Sequence, residues 1–238
     1  MTVRIAMWSG PRNLSTAMMY AFAARGDCAV SDEPFYAAYL ALTGLEHPMR
    51  AQILASQQQD PEKVVVTGDA PGAAPIWYQK HMTHHMVPGI PLDWMTRCRH
   101  AFLIRHPARV VASYVRKREA PVLEDLGFPQ QRALFERLIQ TTGETPPVLD
   151  STALRAAPRE KLSALCAALQ IPWTERMLYW SKGSKPYDGV WAAHWYHAVH
   201  DSTGFDAAEG PLPDLPPEYA RLAEAALPAY EALAQHAL

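Results

Sequence analysis

The first two dozen residues constrain this chain more than any other segment. Val3 to Trp8 is a short apolar run broken only by Arg4, a polar turn follows, and Leu14 to Ala24 is rich in alanine and methionine. The pattern reads as strand, loop and helix. The alternation then repeats. Cys28 to Ser31 predicts a second strand and Lys63-Val-Val-Val-Thr67 a third, with helical stretches over 36–45 and 49–58 between them. Arg99-His-Ala-Phe-Leu-Ile-Arg105 is the fourth strand. It is stopped by Pro107, whose fixed φ suits the first turn of a helix running to about Lys117. Pro147 to Leu149 forms a further strand ahead of a helix from about Pro158. Alternating β and α segments predict an α/β fold with a mostly parallel central sheet flanked by helices.

At 238 residues, 49% of them hydrophobic and 19% charged, the chain can bury a sizeable core. One domain over 1–238 is expected, since neither an internal repeat nor a linker interrupts it. The last third is less regular. Trp191, Trp195 and Tyr196 with His194, His197 and His200 make an aromatic and histidine-rich stretch. Pro211, Pro213, Pro216 and Pro217 mark an extended connection over about 205–217, before a final helix from about Glu218.

Composition also removes whole classes of function. No apolar run approaches the ~20 residues that cross a bilayer, and Met1 to Asn13 reaches glycine, proline and arginine too soon for a secretory leader, so a soluble cytoplasmic protein is expected. Cys28, Cys98 and Cys166 are odd in number, widely spaced and without CxxC spacing, against a disulfide scaffold or structural zinc. A net charge of −2 argues against non-specific nucleic-acid binding. Charge is nevertheless concentrated: Arg97, Arg99, Arg105, Arg109, Arg116, Lys117 and Arg118 fall in one stretch that contains no acid. The last three suit the C-terminal end of a helix dipole. Arg105 ends an apolar run and points instead to an anion site.

A second anion site is expected at Trp8-Ser-Gly-Pro-Arg-Asn-Leu-Ser-Thr16, the junction of the first strand and first helix. Gly10 permits close backbone approach. The loop amides, the Arg12 guanidinium and the Ser15 and Thr16 hydroxyls would meet a phosphate there, while the bland alternative is helix capping by Asn13 or Ser15. Aligned at Gly10 with the Walker pattern GxxxxGK(S/T), the chain has Ser15 for the second glycine, Thr16 for the lysine and Ala17 for the magnesium-binding hydroxyl. A metal-dependent ATPase or kinase is therefore disfavoured.

On these residues the chain resembles the sulfotransferases that use 3′-phosphoadenosine 5′-phosphosulfate (PAPS), a P-loop-like fold. Their 5′-phosphosulfate loop reads Pro-(Arg/Lys)-Ser-Gly-(Ser/Thr)-Thr, and Pro11-Arg12-Asn13-Leu14-Ser15-Thr16 matches four of its six positions. Asn13 and Leu14 replace Ser-Gly, so Leu14 stands where glycine's freedom to take positive φ is used. The family binds the 3′-phosphate through Arg-x-Pro-x5-Ser, and Arg105-His106-Pro107 followed by Ser113 has that spacing. A planar guanidinium fork and a helix hydroxyl suit phosphate oxygens. A C-terminal family segment, Arg-Lys-Gly-x-x-Gly-Asp-Trp-Lys, is loosely similar to Ser181-Lys182-Gly183-Ser184-Lys185, making Lys182 and Lys185 candidate ligands of the nucleotide.

The resemblance implies sulfuryl transfer from PAPS to a hydroxyl or amine of a small-molecule acceptor, with adenosine 3′,5′-bisphosphate as product. The family takes its base from a glutamate after the second strand or from a histidine in a Lys-Thr-His context. Asp32-Glu33-Pro34-Phe35 resembles the first, and Lys80-His81-Met82-Thr83-His84-His85 the second, out of register. Glu33 is the first candidate and His84 the second, with Lys80 and Arg12 beside the reacting groups; the plain alternatives are a helix-start acid and solvated or core histidines. No metal site is expected, since the histidines lack HExxH spacing. Two other readings stay open: a kinase or hydrolase with a degenerate loop, and a nucleotide-binding module without turnover.

Overall fold

A computed structural model describes residues 2–69, 74–116 and 121–238, with the side chains of 67–69 undescribed; Lys117 and Arg118 lie outside this set. Five strands, β1 (Val3–Ser9), β2 (Cys28–Asp32), β3 (Ile76–Met82), β4 (Arg99–Ile104) and β5 (Val148–Asp150), form one sheet in the order β2-β3-β1-β4-β5. Every pairing is parallel. β1 is therefore central, and all strands end at the same sheet edge, where open α/β sheets bind ligands.

Alternation along the strands divides the core. Ile5 and Met7 of β1 and Ala101 and Leu103 of β4 face one side. There they meet Met18, Met19 and Phe22 of α1 (Ser15–Ala24). Ala6, Trp8, Phe102 and Ile104 face the other side. α2 (Tyr36–Thr43), α3 (Arg50–Ser56) and α4 (Pro61–Asp69) lie between β2 and β3 in the chain. α5 (Pro107–Tyr114), α6 (Leu123–Leu126) and α7 (Phe128–Thr142) follow β4, and α7 buries Leu134, Phe135 and Leu138 against the Trp8 side. α8 (Ser151–Ala156) and α9 (Pro158–Ala168) follow β5 and cover the α1 side through Leu154, Leu162 and Leu165. Short α10 (Ala192–Trp195) and α11 (His197–His200) precede the final α12 (Pro217–Ala234).

Two expectations need correction. Lys63-Val-Val-Val-Thr67 lies inside α4 rather than in a strand: Asp60 and Pro61 open a helix there, Val64 is buried and Val66 is 70% exposed, a helical rather than two-faced burial pattern. The third strand is Ile76–Met82, buried at all seven positions even though it carries Gln79, Lys80 and His81. The helix before Pro158 was not anticipated either; Asp150 starts α8, accepting the Thr152 and Ala153 amides at 2.7 and 3.1 Å.

Candidate active site

At the C-terminal edge of the sheet, a cavity of about 370 Å³ is lined by the loop after β1, by the ends of β2 and β3, by α5 and by the 191–206 segment. Pro11, Arg12, Asn13, Leu14, Ser15, Thr16, Glu33, Lys80, His84, Arg105 and Ser113 all line it. The residues of the two expected anion sites and both base candidates thus share one space.

The β1–α1 loop is built on two left-handed residues, Arg12 and Leu14, each at φ 64°. Leu14 takes the conformation for which glycine is usual, and its side chain packs against the α1-side core, which offsets the strain. Asn13 is buried and donates to Leu103 O at 3.2 Å, while its own carbonyl accepts from Ser151 Oγ at 2.9 Å. It therefore anchors the loop instead of capping α1. The N-cap is Leu14, with no side-chain cap, so the first amides of α1 keep their positive end toward the cavity. Gly10 is absent from the lining. A Cβ there would stand 2.7 Å from Leu126 O, so Gly10 is needed for packing against α6 and not for approach to a ligand.

Arg12 Nε donates to Ser113 Oγ at 2.8 Å, and Arg105 Nη1 donates to Arg12 O at 2.9 Å. Burial, reinforced by the charges of Arg105 and Arg116, lowers the Arg12 pKa, so an incoming anion would relieve like-charge crowding.

The opposite wall carries a buried ion cluster. Lys80 Nζ donates to Asp32 Oδ1 at 2.8 Å, to Glu33 Oε1 at 2.5 Å and to the Tyr196 hydroxyl at 2.7 Å. The Tyr196 hydroxyl in turn donates to Asp32 at 2.8 Å and accepts from Trp191 Nε1 at 3.0 Å. Register explains the meeting: Asp32 and Lys80 are paired neighbours on β2 and β3. Burial opposes the Lys80 charge, yet Asp32 and Glu33 together hold its pKa well above the ordinary lysine value. Burial raises Glu33, with Lys80 opposing and Asp32 adding to the rise. Glu33 itself sits at φ 43°, its amide donating to Lys80 O at 3.0 Å. Its Oε2 lies 3.9 Å from His85 Nε2. Burial, then the neighbouring His84 and His47, push His85 well below the ordinary imidazole value, leaving it neutral.

Lys182 and Lys185 are not brought to this cavity. Lys185 Nζ donates to the carbonyls of Ser181 and Gly183, each at 2.7 Å, and lies over the Tyr20 ring; Lys182 is exposed. Sequence reasoning missed Asp32 and Tyr196 as partners of Lys80, and left the walls formed by Trp191 and Trp195 without a role. Their only signal was the density of aromatic residues over 191–200.

The model of the sulfotransferase domain matches residues 3–237. The chain belongs to the sulfotransferase family. Two Arabidopsis thaliana proteins, branched-chain-amino-acid aminotransferase-like proteins 1 and 2, are 38% and 36% identical to this sulfotransferase chain over 98% of its length. The chain spans only about two fifths of those relatives, 42% and 41%. Among solved structures, the sulfotransferase domain from the curacin biosynthetic pathway covers 94% of this chain, and this chain 97% of it, at a TM-score of 0.58 and 18% identity. The sulfotransferase domain of the Synechococcus PCC 7002 olefin synthase gives 0.52 and 16%, with 94% of each chain covered. These likenesses show the fold. No helix among the described residues is long and apolar enough to cross a membrane.

Proposed function

We propose that the chain acts as one unit that transfers a sulfuryl group from PAPS to a hydroxyl or amine of a small acceptor, releasing adenosine 3′,5′-bisphosphate. The observation that carries this reading is the placement, in one cavity, of an uncapped helix start with Arg12, Arg105 and Ser113 on one wall and a lysine-held carboxylate on the other. The residues fit such a donor: two separate cationic and hydroxyl-bearing loops suit its two phosphate-bearing ends, and Arg105 Nε is buried without a hydrogen-bond partner.

In this reading the acceptor proton passes to Glu33 Oε2, the oxygen that Lys80 does not hold, as the acceptor atom forms its bond to sulfur. The bond from sulfur to the 5′-phosphate oxygen breaks, and its electron pair stays on that oxygen. Arg12, the Ser15 and Thr16 hydroxyls and the α1 amides neutralise the charge that develops there. Lys80 keeps Glu33 oriented, and the raised pKa of Glu33 makes it a better proton acceptor than an ordinary carboxylate. Arg105 and Ser113 hold the 3′-phosphate. Tyr36, Trp195 and His84 wall the acceptor end, with His84 as the second choice of base.

Calorimetric titration tests the reading. Adenosine 3′,5′-bisphosphate should bind more tightly than AMP, ATP or GTP, and Arg105→Ala should cost it about 1.5–3 kcal/mol, as for a charged hydrogen bond. Equal affinity for the bisphosphate and AMP would overturn the assignment.

A further inference from the structure

Arg105 is not empty-handed. Its Nη2 contacts the Glu209 carboxylate, which also accepts from Arg155 Nη1 at 3.1 Å and from Thr152 Oγ1 at 3.0 Å, and lies 3.3 Å from Arg109 Nε. These groups come from α5 and its lead-in, from α8 and from the proline-rich connection. Three guanidinium groups thus converge on one carboxylate whose side chain is only 5% exposed. Asp206 adds a looser contact to Arg155 at 3.6 Å, its own side chain 69% exposed. The cluster remains in positive excess, and Arg12 adds to that excess from the loop side.

The segment that delivers Glu209 is held in an unusual way. From Asp206 to Leu215 no backbone-to-backbone hydrogen bond is made among the described residues. It is fastened instead by the same arginines, Arg155 Nε donating to Ala207 O at 2.9 Å and an Arg109 guanidinium nitrogen to Gly210 O. Between 206 and 212, Glu209 is the residue turned inward while its neighbours are exposed. A strap with no ladder of its own, pinned by one buried carboxylate in a cationic nest, can be released by any anion that fills the nest better.

We propose that Arg105, Arg109, Arg155 and Thr152 form the subsite for the nucleotide's 3′-phosphate, and that Glu209 is the internal carboxylate that fills it until the phosphate displaces it. This rests on the donor reading above and extends it to residues outside the sequence motif. A phosphate offers up to two negative charges and three acceptor oxygens against one charge and two oxygens for Glu209, so it satisfies three guanidinium forks more fully. The exchange makes the 3′-phosphate a requirement for opening the strap. A nucleotide lacking it leaves Glu209 in place.

Two measurements test this. Glu209→Gln removes the competing charge, so its affinity for adenosine 3′,5′-bisphosphate should rise by about tenfold with AMP affinity unchanged, while Arg155→Gln should lower bisphosphate affinity by about as much. In the unaltered protein, cleavage after Glu209 by a glutamate-specific protease should accelerate with the bisphosphate and not with AMP, because only release of the strap exposes that side chain, a response that a purely structural clamp does not give. Unchanged affinity in both variants, or cleavage after Glu209 that does not accelerate with the bisphosphate, overturns the strap. If the unaltered protein binds neither nucleotide, the donor reading fails separately. Inorganic phosphate then decides the subsite: greater thermal stabilisation of Glu209→Gln than of the unaltered protein supports it, and equal stabilisation overturns it.

Discussion

Arg12 Nε and Ser113 Oγ lie 2.8 Å apart although 101 residues separate them in the chain. The hydrogen bond joins the loop after β1 to the helix after β4, so the two anion motifs are one structure. Arg12 serves both: its carbonyl holds Arg105 and its guanidinium holds Ser113.

Arg12→Ala should therefore damage both ends of nucleotide binding. The expected result is a loss of about 1.5–3 kcal/mol in transition-state stabilisation, read as a fall in kcat/KM, with a much smaller change in melting temperature. Arg12 lines the cavity and its charge is already crowded by Arg105, so removing it does not unpair a buried ion. A collapse in melting temperature with kcat/KM intact in the folded fraction would assign Arg12 a structural role.

Divalent metal should be dispensable. Ala17 stands where a Walker loop has its magnesium-binding hydroxyl, and Thr16 where it has lysine. Sulfuryl transfer assayed in excess chelator should proceed at its ordinary rate. Loss of turnover there, restored by magnesium and accompanied by ATP consumption, would turn the assignment toward a kinase or hydrolase.

Lys80→Met should be strongly destabilising, because it leaves Asp32 and Glu33 as buried carboxylates without their cation. Breaking one partner of such a cluster costs about 3–5 kcal/mol. The pH dependence has a definite sign. In the variant Glu33, already raised by burial and now without the opposing charge of Lys80, holds a proton that the unfolded chain releases, so stability rises as pH falls through its raised pKa. Urea unfolding at pH 5 and pH 8 should show a larger gap in the variant than in the parent, and an equal gap would show that the cluster is not electrostatically coupled to folding.

The parts of this fold that obey simple periodicity were legible in the sequence, and the parts that serve the site were the harder ones. β1, β2, β4 and α1 carry the expected apolar runs. β3 escaped because a strand paired on both sides is expected to be apolar, and this one carries Gln79, Lys80 and His81 in its second half. Those polar residues are tolerated there because Asp32, Glu33 and Tyr196 satisfy Lys80. Burying that cluster at the sheet edge is what the candidate site requires, so the misreading of β3 and the missed partners of Lys80 have one cause. Glu209 was invisible for a different reason: its contacts to Arg105, Arg109 and Arg155 span 54 to 104 residues and follow no spacing rule.

The identity of the base gives the most demanding prediction. Glu33 has one oxygen fixed by Lys80 at 2.5 Å and the other turned toward His85, which burial keeps neutral and therefore unable to tie that oxygen in an ion pair. Such a carboxylate is held in orientation and, when deprotonated, has an oxygen able to accept a proton. Glu33→Gln preserves shape and removes basicity, so turnover should fall on the order of 10²–10⁴-fold while nucleotide affinity is retained. The pH profile supplies the second criterion. A base acts in its deprotonated form, so kcat/KM should drop as pH falls through the Glu33 pKa; burial raises that pKa, placing the acid limb above the ordinary carboxylate value. The limb should vanish in Glu33→Gln. Near-normal turnover in that variant, with the acid limb kept and a large loss in His84→Ala instead, would move the base to the histidine that lines the same cavity.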